Sequence, residues 1–211
     1  MKTDKTEQWF TSAKDSTNNV FMGIDPSLTS TGIAVLRDDG KDCHTRVLST
    51  KLTGLARLDS LDRQLQTLLV HYRPTAVALE GYSYGSPTNR EALAEWGGLI
   101  RLALFRFDIP TLIVAPPTLR KFILPEALKG KEQTILATYK RWGLEFKTND
   151  ECDAHGLARL AALRHGLESG TAHAIDAGHG KGITGRMIEA AKTAAPAIKG
   201  PDSGPTRRRS R

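Results

Sequence analysis

Residues 21–36, FMGIDPSLTSTGIAVL, decide how the rest of the chain is read. An apolar run ends on a carboxylate, Asp25, and a short Pro-Ser-Leu-Thr-Ser turn follows. The chain then becomes apolar again from Gly32 to Leu36. Two strands joined by that turn account for the pattern, over Val20–Asp25 and Thr31–Arg37. A charge at the carboxyl end of a strand is either a turn residue or a chemical group. Asp-Pro alone is most often the former.

Working outward, Asp38-Asp39-Gly40 is a hairpin signal, and a third strand over roughly Cys43–Leu52 completes an antiparallel meander. Leu55, Leu58, Leu61, Leu65, Leu68 and Leu69 recur at helical spacing, and Pro74 closes that helix. Thr75–Glu80, TAVALE, has no polar alternation after Thr75, which predicts a strand covered on both faces. The loop GYSYGSP leads to a long helix over about Asn89–Phe107, and PTLIVAPP holds another covered strand. Helices near Thr118–Leu124 and Lys131–Trp142 come next, then a last helix from about Asn149 to His165. The order predicts an α/β domain with a mixed five-stranded sheet and helices on both faces. It occupies residues 20–166, between a disordered N-terminal arm (1–19) and a flexible basic C-terminal tail (167–211).

The chain has 211 residues, 39% of them hydrophobic, which is enough for one core. It has no apolar run long enough to span a bilayer and no signal-peptide pattern near residue 1. Two distant cysteines, Cys43 and Cys152, exclude a disulfide scaffold and fit a reducing, cytoplasmic compartment. The formal net charge is +7. Lys199, Arg207, Arg208, Arg209 and Arg211 stand near the C-terminus against Asp202 alone, a pattern that suits a polyanion such as nucleic acid.

Functional groups in such sheets gather at the carboxyl ends of strands. Asp25 ends the first strand and Glu80 the fourth; the two lie side by side if the fourth strand adds next to the first. Asp150 and Asp153 follow at i and i+3 on the last helix, roughly 60° apart around its axis. Glu151 and His155 fall on other faces. Four converging acids repel one another, and a hard cation offsets that repulsion. Oxygen ligands favour Mg²⁺, with Mn²⁺ a substitute, and two such ions roughly 4 Å apart can hold a phosphodiester for in-line hydrolysis. Asp150 near a helix start also fits the simpler role of an N-cap.

GIDPSLTSTGIAVL, VALEGYSYG and DECDAHGLARLAALRHG together resemble the three acidic motifs of RuvC-type Holliday junction resolvases, members of the RNase H-like nuclease superfamily. The resemblance implies that Asp25, Glu80, Asp150 and Asp153 are metal ligands. It implies a Mg²⁺-dependent endonuclease, acting as a homodimer on four-way junctions and leaving 5′-phosphate and 3′-hydroxyl ends. Lys121 and Lys131 are similar to the basic residues that meet phosphate in that family, Lys131 near the cut. Ser27 stands where the family usually has glycine. Ser83 stands where it often has an aromatic, flanked here by Tyr82 and Tyr84, either of which suits stacking on a base. Arg207, Arg208 and Arg209 complete the expected DNA contacts. The alternatives are a flap or branched-DNA nuclease of the same superfamily and a non-catalytic RNase H-like DNA-binding module. The latter needs no set of aligned acids.

Overall fold

The computed structural model describes residues 19–37, 42–81, 90–124, 133–169, 188–189, 191–192 and 195–198. Its strands are β1 (Val20–Asp25), β2 (Thr31–Arg37), β3 (Cys43–Leu48), β4 (Ala76–Glu80), β5 (Thr111–Val114) and β6 (Ala195–Ile198). Its helices are α1 (Gly54–Tyr72), α2 (Arg90–Arg106), α3 (Pro116–Ile123), α4 (Gln133–Trp142) and α5 (Asn149–Ser169).

All six strands form one sheet in the order β3-β2-β1-β4-β5-β6. β1, β2 and β3 are an antiparallel meander, whereas β4 lies parallel to β1 and β5 parallel to β4. The expected mixed sheet with helices on both faces is therefore present, and β4 does add beside β1. Because successive side chains point to opposite faces, each central strand feeds two cores. On one face Met22, Ile24, Ile33 and Val77 pack with the leucines of α1 and with Trp96 and Ile100 of α2. On the other, Phe21, Ala34, Leu36 and Ala78 pack with α3, α4 and α5. Burial on both faces explains why β1 and β4 read as nearly unbroken apolar runs.

Several expectations are corrected. β3 stops at Leu48 rather than Leu52, because Ser49 and Thr50 lie beyond the end of β2, where no partner strand continues. Leu55, counted in the leucine stripe of α1, is 82% exposed, since the helix meets the sheet only from Leu58 onward. α1 ends on Arg73 in a left-handed conformation, its N–H donating to the Leu69 carbonyl, just before Pro74. The flexible tail assigned to 167–211 contains ordered parts. α5 continues to Ser169, Ala191 is fully buried, and Ala195–Ile198 pairs antiparallel with β5 as a sixth strand. The exposed backbone edge of β5 is the reason such a strand has a place to bind. Pro196 sits there acceptably, because an edge strand tolerates a missing N–H.

The hairpin residues Asp38–Gly40 and residues 1–18 of the N-terminal arm lie outside the described residues. So do Tyr82, Tyr84, Lys131, Arg207, Arg208 and Arg209.

Candidate active site

β1 and β4 run in the same direction, and Ile24 pairs with Leu79. One step further along that register sets Asp25 beside Glu80 on one rim of the sheet. Phe21 and Ala78 belong to the core under α5, so the alternation carries Asp25 and Glu80 to the α5 face as well. Asp25 is buried and Glu80 is half-buried.

The opening turn owes its form to Thr31. Its hydroxyl donates to the Ser27 carbonyl at 2.6 Å and accepts the Ser27 N–H at 3.2 Å. It also accepts the indole N–H of Trp96 at 2.9 Å. Trp96 is fully buried, which assigns it to the core rather than to an interface. Among the described non-glycine residues positive φ occurs at Arg73 and Asp108, so Ser27 stands unstrained where a glycine was expected.

The second half of the site arrives with α5. The segment Thr148-Asn149-Asp150-Glu151 is a capping box. The Thr148 hydroxyl accepts the Glu151 N–H at 3.2 Å. One Glu151 carboxylate oxygen accepts the Thr148 and Lys147 N–H groups at 3.2 and 2.9 Å. The other accepts the Thr45 hydroxyl at 3.2 Å, tying the helix start to β3. Thr148 rather than Asp150 is thus the cap, and Glu151 is consumed in structure.

Asp150 is placed by glycine. Gly32 is the cross-strand partner of Asp25, and a Cβ built on it would lie 2.4 Å from the Asp150 carbonyl oxygen. One turn further along α5, a Cβ on Gly23 would lie 1.9 Å from the Ala154 carbonyl oxygen. These two glycines let α5 settle onto β1 and β2, which brings Asp150 to the position across from Asp25. The Ser30 hydroxyl donates to Asp150 Oδ2 at 2.5 Å. Asp153 is half-buried and lies on the flank of α5 shared with Gly156, which meets Ile123 and Leu119 of α3.

Asp25, Glu80 and the start of α5 with Asp150 thus lie toward one end of the sheet, on its α5 face. Among the described residues, however, no three His, Cys, Asp or Glu side chains are gathered closely enough to hold a metal ion as they stand. The fold supplies an open acidic rim of hard oxygen donors facing the amino end of α5, whose dipole favours negative charge. Lys121 is exposed beside Arg120 on α3. The residues that sequence reading passed over are Ser30, Thr31 and Gly32. Only the Thr148-to-Glu151 spacing carried an explicit signal, that of a capping box.

The profile of the family described as crossover junction endodeoxyribonuclease RuvC matches residues 21–164, from β1 into α5 and across all four acids. The chain belongs to the RuvC family. A RuvC of Syntrophomonas wolfei is 28% identical over 145 residues, covering 65% of this chain and 84% of its own length. One from Chlorobium phaeovibrioides is 28% identical over 157 residues, covering 70% and 82%. Among solved structures, Thermus thermophilus RuvC superposes with a TM-score of 0.58 at 23% identity, covering 72% of this chain and 97% of that one. The T. thermophilus RuvC solved in complex with a Holliday junction substrate gives 0.60 at 21% identity, covering 84% and 99%. These structural likenesses show a common fold.

Proposed function

We propose that this chain is a crossover junction endodeoxyribonuclease: a Mg²⁺-dependent enzyme that hydrolyses phosphodiesters in four-way DNA junctions. The observation that carries the reading is the seating of Asp150 on Gly32, opposite Asp25, with Glu80 alongside on the parallel strand. A DNA-binding module without catalysis has no use for acids from two strand ends and a helix start on one rim. Membership of the RuvC family supports the same reading.

Asp25, Glu80, Asp150 and Asp153 would hold the cation, Mg²⁺ or in its place Mn²⁺, as a two-ion site. Bound there, such ions supply an acidified water and neutralise charge on the phosphate. The chain itself contributes three things. The sheet holds Asp25 and Glu80 on rigid strand ends. The glycine seat fixes α5 against them. The amino end of α5 offers a positive dipole to the phosphate. Attack of water on phosphorus with departure of the 3′ oxygen leaves 5′-phosphate and 3′-hydroxyl ends.

Lys121, with Arg120 beside it on the solvent side of α3, would meet backbone phosphates, and Lys131 would extend this role toward the cut. Tyr82 or Tyr84 supplies stacking on an opened base. Arg207, Arg208 and Arg209 add phosphate contacts from the basic C-terminus. Two symmetric cuts call for two sites related by a two-fold axis, hence a homodimer. The inward residues of α2 are spent on the core, so its outer row, with Gly98, Leu102 and Phe105, is the face proposed for the partner. No described helix is long and apolar enough to cross a membrane. Free Cys43 and Cys152 agree with a reducing cytoplasm.

The test is cleavage of end-labelled four-way junction, flap, duplex and single strand in Mg²⁺. Paired nicks at symmetric positions of the junction are expected. Faster cutting of the flap would transfer the chain to the branched-DNA nucleases, and no cutting of any substrate would overturn the reading.

A further inference from the structure

We infer that Ser30 is a positioning residue that holds Asp150 to a single coordinating oxygen and so tunes the site for a small octahedral cation. The inference rests on the proposed metal-dependent reading of the acidic rim. Its basis is the contact between the Ser30 hydroxyl and Asp150 Oδ2, 2.5 Å long and joining residues 120 apart in sequence. That length is typical of a hydroxyl donating to an ionised carboxylate.

The donor is itself held in place. Thr31, next in the chain, uses its hydroxyl three times: to the Ser27 carbonyl, from the Ser27 N–H and from the Trp96 indole. A hydroxyl has one proton and two lone pairs, so Thr31 has no further capacity and the turn has little freedom. The acceptor is held as well. Its backbone lies on Gly32, and the Thr148–Glu151 box fixes the helix start one residue away. Turn and helix start are thus both fixed, and the Ser30 hydroxyl sets the rotation of the Asp150 carboxylate between them.

The chemical consequence follows from lone pairs. The Ser30 hydroxyl takes one of the two lone pairs on Oδ2 and draws charge from that oxygen, which leaves Oδ1 the better ligand. One-oxygen ligation suits Mg²⁺ and Mn²⁺, which demand near-octahedral geometry. Ca²⁺, larger and more permissive, readily takes both oxygens of a carboxylate. Ser30 thereby favours the smaller ions over Ca²⁺. Hydrogen-bond partners of a ligating carboxylate commonly change metal affinity by about 10–100-fold.

The experiment compares Ser30→Thr, which keeps the hydroxyl, with Ser30→Val, which has nearly the same shape without it. Mn²⁺ and Ca²⁺ are titrated calorimetrically into the full chain, and thermal midpoints confirm that both variants fold. Ser30→Thr is expected to match the unsubstituted chain. Ser30→Val is expected to bind Mn²⁺ about tenfold more weakly while losing less affinity for Ca²⁺, so that the Mn²⁺ to Ca²⁺ preference narrows. Half-saturating Mg²⁺ for junction cleavage should rise in step. Equal Mn²⁺ affinities and an unchanged preference in the two variants would overturn the inference. Failure of the unsubstituted chain to bind Mn²⁺ would instead overturn the metal-dependent reading beneath it.

Discussion

The backbone of Asp150 occupies the space that a side chain on Gly32 would fill. A Cβ there would stand 2.4 Å from the Asp150 carbonyl oxygen and 2.8 Å from its carbonyl carbon. Neither atom belongs to a flexible side chain that could swing aside. Gly32→Ala should therefore push the start of α5 off the sheet. A loss of about 1–3 kcal/mol in stability is expected from such overpacking. Junction cleavage should fall further than stability alone accounts for, because the displaced residue is a proposed ligand. Urea denaturation alongside single-turnover cleavage separates the two effects.

Asp25→Asn removes one carboxylate from the rim but keeps its shape. Cleavage in Mg²⁺ should drop by more than about 100-fold, since a lost ligand exceeds the usual effect of an outer partner. Junction binding in a gel-shift assay should hold or tighten, as a negative charge facing phosphate has gone. The same is expected of Glu80→Gln, Asp150→Asn and Asp153→Asn. Cutting at the unsubstituted rate by any one of them would remove that residue from the site.

The two thiols make the fold sensitive to alkali. Burial raises Cys152 from an ordinary 9.0 to about 12, with a Thr138 hydrogen bond opposing the shift. Burial likewise raises Cys43 to about 12, with the charge of Arg159 opposing. A raised folded pKa means that the unfolded chain ionises first. The contribution of the neutral thiols is thus complete below about pH 9 and declines as pH climbs toward 12. Denaturation midpoints should fall across that window and fall less in a Cys43→Ala, Cys152→Ala double variant, in which buried Tyr72, also raised to about 12, still contributes. Iodoacetamide at pH 8 should modify Cys152 far more slowly in the native chain than in urea.

Leu102 and Phe105 are 41% and 38% exposed on the outer side of α2. If the proposed dimer forms through this face, changing either to glutamate should leave the melting temperature within a few degrees while shifting sedimentation at micromolar concentration toward monomer. Paired nicking of the junction should then become sequential. A dimer that survives both changes would place the interface elsewhere.

Truncation after Ile198 removes Lys199 and the terminal arginines but keeps β6. Junction affinity should weaken, and the slope of log affinity against log salt should flatten by roughly 0.9 for each phosphate that is no longer neutralised. Cleavage at low salt should persist. Truncation after Ala194 should additionally destabilise the chain, because the β5 edge loses its partner. An unchanged salt slope in the first variant would make the terminus a bystander.

The sheet was legible because its central strands are buried on both faces, which writes an apolar run directly into the chain. The places of Asp25, Glu80, Asp150 and Asp153 in the fold were legible because strand ends and one helix face are positions a sequence can locate. β6 was not legible: Ala-Pro-Ala-Ile is short, contains proline and has no alternation, and pairing with β5 alone makes it a strand. The exposure of Leu55 was hidden too, since periodicity shows which side of a helix is apolar but not how far the sheet extends beneath it. Ser30 and Gly32 escaped notice because their importance comes from Asp150, more than a hundred residues away. A serine that meets a carboxylate and a glycine that receives a helix read locally as turn and strand.

The distance in sequence between Ser30 and Asp150 also has a consequence in time. Bringing the ends of so long a segment together is an entropic step that few local contacts reward beforehand. During synthesis the meander, β4 and β5 emerge well before α5. The rim then holds only Asp25 and Glu80, and the glycine seat stands empty. With the site proposed above, nuclease competence would arrive as a late event, when α5 docks, and a nascent chain that already has most of its sheet would still be harmless to DNA.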